Sequence, residues 1–140
     1  MQRHSSAVWK GGLKDGNGQV STGSGGLSSA PYTFASRFET GGKTDPEELI
    51  AAAHAACFSM ALSGQLGQAN LKADSIATKA TVTLEKTEAG MTVTASHLSV
   101  RAKVPGADQA AFEKAANNAK AGCPISRLLN ARITMDAVLE

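Results

Sequence analysis

The sequence predicts an α+β domain, and three observations carry that reading. Residues 49–62 form an apolar, alanine-rich run in which only His54 and Ser59 are polar. Short alternating segments punctuated by glycine flank it on both sides, which is strand and hairpin chemistry. A second helical stripe, Ala111, Phe112, Ala115, Ala116 and Ala119, falls between the last two strand-like segments. With 140 residues the chain has room for one domain, taken as residues 1–140, with a small core.

In chain order, residues 4–10 alternate well enough for a first strand. Gly-Gly, Asp-Gly and Asn-Gly then favour a hairpin turn, and residues 20–23 read as the return strand. The Gly/Ser segment 24–29 lacks the lysine and following helix of a phosphate loop, so its glycines serve turns. Tyr32, Phe34, Ser36 and Phe38 alternate against Thr33, Ala35 and Arg37, which predicts a third strand with Arg37 opposite the aromatics.

The central helix opens at Thr44 or Asp45 as cap, with Pro46 at its first position and Glu47 and Glu48 complementing the helix dipole. Its core is apolar all round, so it should be buried on every side. The run is shorter than the ~20 apolar residues of a membrane span and reads as a core helix.

Ile76, Thr78, Ala80, Val82 and Leu84 share one face of a strand, and residues 87–90 make a turn. The partner strand changes parity between Ala95 and Leu98, which predicts a bulge near Ser96 and His97. Asp108 caps the second helix, Gly122 stops it, Pro124 opens a short helix, and residues 131–139 form a last strand. One sheet face and one short helix cannot cover a helix that is apolar all round. A second copy of the chain would, so a homodimer is expected.

The net charge of +2 is scattered along the chain, and one Trp, one Tyr and four Phe offer few stacking platforms, which disfavours nucleic acid as a partner. The N-terminal residues contain no apolar signal region, so a cytoplasmic protein with reduced thiols is expected. Its two cysteines, Cys57 and Cys123, are either inert core residues or the seat of chemistry. Cys57 lies in the middle of a dry helix, where desolvation raises a thiol's pKa. A reactive Cys57 therefore needs a fixed cation. Arg37 is the nearest candidate, with Lys43 and Arg127 behind it, although Arg37 also reads as an ordinary solvated charge on a strand face. Glu47 precedes Cys57 by ten residues, ~15 Å along a helix, so the two cannot touch within one copy. If Glu47 orients an arginine beside Cys57, that arginine spans the gap or a symmetry-related helix brings the carboxylate across.

His54, one turn before Cys57, could join Cys123 and His97 in a metal site. No closely spaced ligand pair supports that reading, and no metal is assigned. A histidine-activated thiol lacks an assignable orienting Asn or Asp. Cys123, after Gly122 and before Pro124, sits at an expected helix start, where a thiol is accessible and its pKa falls. One thiol buried and one at a helix start fit an attacking and a resolving pair.

The stretch TDPEELIAAAHAACFSMAL, preceded by PYTFASRFE and followed by KAGCPIS, resembles the OsmC/Ohr family of hydroperoxide reductases, most closely its OsmC branch. The likeness extends through VSTGSGGL and EKTEAGMTVT and so covers nearly the whole chain. Asp45 stands where the family often has Asn, and Ala51 where Gly is common; neither removes a reactive group. The resemblance implies an intertwined homodimer, with curved antiparallel sheets wrapped around paired central helices and two sites at the interface. It implies that Cys57 is the peroxidatic cysteine and Cys123 the resolving one. Arg37 would keep the first thiol ionised, and Glu47 would pair with Arg37. In the Ohr branch the arginine comes from the earlier Gly-rich loop; residues 11–30 hold no Arg, which favours the OsmC branch.

The implied activity is a thiol-dependent peroxidase. Cys57 would reduce an organic hydroperoxide to an alcohol through a sulfenic acid that Cys123 resolves as a disulfide. An external dithiol, of lipoyl type by the resemblance, would then reduce that disulfide, with no cofactor, metal or membrane involved. Apolar walls favour organic hydroperoxides, though the OsmC branch need not discriminate against hydrogen peroxide. The competing class is a non-catalytic dimeric stress protein that binds a small lipid-like ligand in the same apolar pocket.

Overall fold

The computed structural model describes residues 1–39 and 42–140, which divide into two compact units, Met1–Leu49 and Ile50–Glu140. In the first unit, β1 (Ser5–Lys10), β2 (Asn17–Thr22) and β3 (Ala30–Tyr32) form an antiparallel sheet in the order β1-β2-β3. The return strand starts three residues earlier than its sequence suggests. Asn17 pairs with Lys10 and Gly18 with Trp9, so the Asn-Gly dipeptide belongs to the ladder and the turn closes at Gly16, whose N–H donates to Gly12 O at 2.9 Å. Gly18 is a steric requirement. Trp9 and Tyr32 meet over it with ring centroids 5.5 Å apart, and a Cβ there would come within 2.5 Å of the Tyr32 ring.

The predicted third strand ends early. Residues beyond Tyr32 turn into α1 (Phe34–Phe38), because Thr33 and Ser36 form a capping box. Ser36 N–H donates to Thr33 Oγ1 at 3.2 Å, and Thr33 N–H to Ser36 Oγ at 2.9 Å. The alternation of aromatics was ambiguous: Phe34 and Phe38 also stand four apart, and their rings meet at 4.8 Å on one helix face. Arg37 therefore projects from a helix and not from a strand.

The central helix α2 spans Pro46–Gln68, opened as expected by Asp45, whose Oδ1 accepts the Glu48 N–H at 2.8 Å. Asn70 ends it in the left-handed region at φ 58°, and Leu71 N–H closes back on Leu66 O at 2.9 Å. By length and composition alone α2 could cross a membrane. Its stripe of His54, Phe58, Leu62 and Leu66 is instead buried in the core of the second unit.

That second unit holds β4 (Ser75–Thr87), β5 (Gly90–Lys103), α3 (Gln109–Gly122), α4 (Pro124–Leu128) and β6 (Arg132–Leu139), with sheet order β4-β5-β6. The long β4–β5 hairpin is antiparallel, whereas β6 lies parallel to β5. The crossover through two helices returns the chain in the same direction, so this sheet is mixed and not wholly antiparallel. The bulge is real but lies at Thr94: Thr83 faces Ala95 and Leu84 faces Val93, leaving Thr94 unmatched. Beyond it Ser96, Leu98, Val100 and Ala102 point into the core. They meet Phe58, Leu62 and Leu66 of α2, and Phe112, Ala115, Ala116 and Ala119 of α3. Each large apolar side chain enclosed there contributes roughly 1.5–3 kcal/mol.

The expectation that α2 is buried on every side does not hold within one chain. Ala52, Ala53 and Ala56 are exposed, and so is Met60 at 78%. One sheet and one helix cover only one stripe of a cylinder.

Candidate functional site

Cys57 lies on α2, three residues after His54 and one before Phe58, and Cys123 occupies the junction between α3 and α4. The junction is tight because Cys123 N–H still donates to Ala119 O at 2.9 Å while Pro124 already starts α4. This brings the sulfurs of two free thiols to 2.7 Å, where they share a hydrogen bond. Sixty-six residues separate them in the chain; packing in the second unit puts them together.

Their burial reverses the expectation. Cys123 is 0% exposed, and Cys57 is partly open. The helix-start thiol is enclosed because Ala115, Ala116 and Ala119 draw the end of α3 into the core. The helix-centre thiol stays partly open within one chain because α2 is covered on one side only. Burial pushes the Cys57 pKa up, and the neighbouring Cys123 thiol adds to this. The backbone of Ile125, in the first turn of α4, pulls it back in part.

His54 is fully buried with both ring nitrogens engaged. Nδ1 lies 2.8 Å from Ser96 Oγ on β5, and Nε2 lies 2.8 Å from Ser126 Oγ on α4. Burial lowers its pKa. His97 faces the other side of β5, where Nδ1 meets Thr134 Oγ1 at 2.7 Å and Nε2 meets Asp136 at 3.2 Å. The suggested set of His54, His97 and the cysteines is therefore not assembled, and the described residues contain no cluster of three metal-binding side chains.

In the first unit Arg37 and Glu47 pair. Nη2 donates to Oε1 at 2.8 Å, and Nε donates to Oε2 at 3.2 Å, a two-point fork. The guanidinium also lies 5.1 Å from the Phe38 ring centre. The Glu47 hydrogen bond raises the Arg37 pKa further, so its charge is permanent. Arg37 keeps 38% of its side chain exposed against 13% for Glu47. The runners-up Lys43 and Arg127 are both exposed.

Ser96, Ser126 and the Ile125 backbone were not singled out from the sequence. A signal existed for Ser96, since the strand's parity beyond the bulge puts it on the same face as Leu98 and Val100. A hydroxyl on an apolar face requires a buried partner.

The family model for OsmC-like protein matches residues 39–138. Among curated relatives, Peroxiredoxin OsmC of Escherichia coli K12 is 49% identical over 140 residues, covering 100% of this chain and 98% of that protein. Among solved structures, an OsmC-like protein from Vibrio cholerae superposes with a TM-score of 0.79 at 16% identity, covering 99% of both chains. The organic hydroperoxide resistance protein OhrB of Bacillus subtilis does so with a TM-score of 0.70 at 23% identity, covering 96% of this chain and 98% of that one. With a family match across most of its length and a full-length relative at nearly half identity, the chain belongs to the OsmC-like family.

Proposed function

We propose that this chain is a thiol-dependent peroxidase that reduces organic hydroperoxides to alcohols and is recycled by a dithiol. One observation carries the reading: an accessible thiol and an enclosed one, 2.7 Å apart, without a disulfide between them. The curated relative bears the name peroxiredoxin, which fits that chemistry.

The Cys57 thiolate attacks the terminal oxygen of ROOH, the O–O bond breaks, ROH leaves and Cys57 becomes a sulfenic acid. Cys123 then attacks the Cys57 sulfur, forming the S–S bond and releasing water. A dithiol, of lipoyl type in this reading, reduces the disulfide by two exchange steps and is itself oxidised to its cyclic disulfide. Arg37 supplies the positive charge that offsets the raised Cys57 pKa and stabilises the departing oxygen, and Glu47 fixes the angle of the guanidinium.

The chain works as a homodimer in this reading, with residues 1–140 acting as one functional domain of each copy. The exposed face of α2, with Ala52, Ala53, Ala56 and Met60, is the surface a second copy would cover. Glu47 precedes Cys57 by ten helical residues, ~15 Å, which favours an Arg37–Glu47 pair that serves the other copy's thiol. The cytoplasm, with its reducing thiol pool, suits the dithiol cycle.

The deciding experiment treats reduced protein with one equivalent of cumene hydroperoxide and maps the products by mass spectrometry. A Cys57–Cys123 linkage in step with alcohol release is expected. Unchanged thiols and intact hydroperoxide would leave a ligand-binding protein as the better description.

A further inference from the structure

Among the described residues, His54 is the one fully enclosed titratable side chain that this chemistry leaves without a task. Its position relative to the sulfurs is regular. His54 stands three residues before Cys57 on α2, and its partner Ser126 stands three residues after Cys123 on α4. The same two segments are thus tied twice, through sulfur at 2.7 Å and, about one helical turn away, through imidazole and hydroxyl at 2.8 Å. The other ring nitrogen is anchored to Ser96, fully buried in β5. A neutral imidazole has one donor and one acceptor nitrogen, so two hydroxyls, each able to play either role, satisfy it completely.

We propose that His54 and Ser126 are positioning residues for resolution: their hydrogen bond holds the first turn of α4 against α2, so that Cys123 stays within reach of the Cys57 sulfenic acid. The inference rests on the peroxidase reading above and concerns only its second step. α4 is a five-residue helix, has no side-chain cap and buries none of its residues, so beyond the Ile125 backbone beside Cys57 the Ser126 hydroxyl is its tie to α2. A sulfenic acid has two fates. Attack by the Cys123 thiolate forms the S–S bond and, with one proton, expels water. Attack by the Cys57 sulfenate on a second ROOH takes its oxygen, giving sulfinic acid and ROH. The first fate needs α4 docked; the second is favoured when α4 drifts. A loosened tether should therefore appear as overoxidation, read as the ratio of sulfinic acid to disulfide formed from the same sulfenic acid.

The test uses Ser126→Ala, because Ser126 is only partly buried and its loss leaves the His54–Ser96 anchor intact. Full-length protein is mixed rapidly with cumene hydroperoxide, and sulfenic, disulfide and sulfinic forms are quantified over time by mass spectrometry. In Ser126→Ala sulfenic acid formation is timed separately, because the Ile125 backbone, next to Ser126, also bears on the Cys57 thiol. Disulfide formation should slow about fivefold to tenfold, the kinetic equivalent of one lost hydrogen bond, and sulfinic acid should appear at correspondingly lower peroxide. Ser126→Thr, which keeps the hydroxyl, should restore wild-type partitioning. The inference is overturned if Ser126→Ala forms disulfide as fast as wild type, or if Ser126→Thr is as slow as Ser126→Ala, which would assign the effect to packing. A wild-type protein that forms no disulfide would remove the peroxidase reading itself, and this inference with it.

Discussion

Around Cys123 the surroundings are enclosed, and Cys57 beside it is partly open. Phe58, Leu62, Leu98, Phe112 and Ala119 are buried, the two thiols touch, and the polar atoms of His54 are both satisfied. Around Arg37 and Glu47 the arrangement is open: a forked ion pair between a five-residue helix and the first turn of α2, with more than a third of the arginine side chain in solvent. The first pair is held by packing around Cys123 and by the hydrogen bonds of His54. The second is held by charge, and exposed ion pairs typically contribute only ~0.2–1 kcal/mol. What the chemistry needs in one fixed geometry is built into the core, and what must carry a charge stays nearer the surface, where the Glu47 hydrogen bond outweighs the cost of desolvation.

The comparison can be broken most directly at the sulfurs. Cys57→Ser should abolish hydroperoxide consumption, whereas Cys123→Ser should permit about one oxidation per chain and then stall, since a sulfenic acid without its resolving thiol has no fast exit. Dithiol-driven turnover that persists in Cys123→Ser would remove that residue from the cycle. The contrast in packing has its own measure. Phe58→Ala, in the sealed core, should cost about 3–5 kcal/mol in urea unfolding. Phe38→Ala, beside Arg37 and 38% exposed, should cost about 1 kcal/mol or less. Equal losses would mean that the two regions are not packed differently.

The electrostatic half is sharpened by Arg37→Met. Burial already raises the Cys57 pKa, and under the proposed role of Arg37 the loss of its permanent charge would leave that rise without an offset. The iodoacetamide rate–pH curve should move to higher pH, and a curve in register with wild type would exclude Arg37 as the thiolate's partner.

The smallest expected effect concerns His54. Burial lowers its pKa below the unfolded value of 6.5, so between the two values the unfolded chain binds the proton first. The stability tied to neutral His54 is complete above about pH 6.5 and falls as the pH drops towards the folded value. His54→Gln should flatten that acid limb in thermal scans; an unchanged limb would assign it to other groups.

Much of this was legible in the residues. The Asp45-Pro46-Glu47-Glu48 start of α2, the Thr87–Gly90 turn, the Asp108 cap and the parity change along β5 are local signals, and each marks a feature at or within a few residues of its expected place. The segment after Tyr32 was misread because Phe34 and Phe38 satisfy a period of two and a spacing of four equally well, and the deciding atoms were the hydroxyls of Thr33 and Ser36. The relative burial of the two cysteines was misread as well. Exposure belongs to whatever packs across from a residue, and nothing beside Cys123 in the chain records that α3 is drawn inward at Ala119.

The sequence by itself determined the periodicities, the caps and turns, the two thiols and the carboxylate at the head of α2, all of which act over a few residues and so are written within a few residues. Only the tertiary structure decided that two sulfurs sixty-six positions apart would meet at 2.7 Å, that His54 would find Ser96 and Ser126, and that one face of α2 would stay bare. Those outcomes depend on how strands and helices distant in the chain fill a shared volume, and close packing is a property of all the side chains at once.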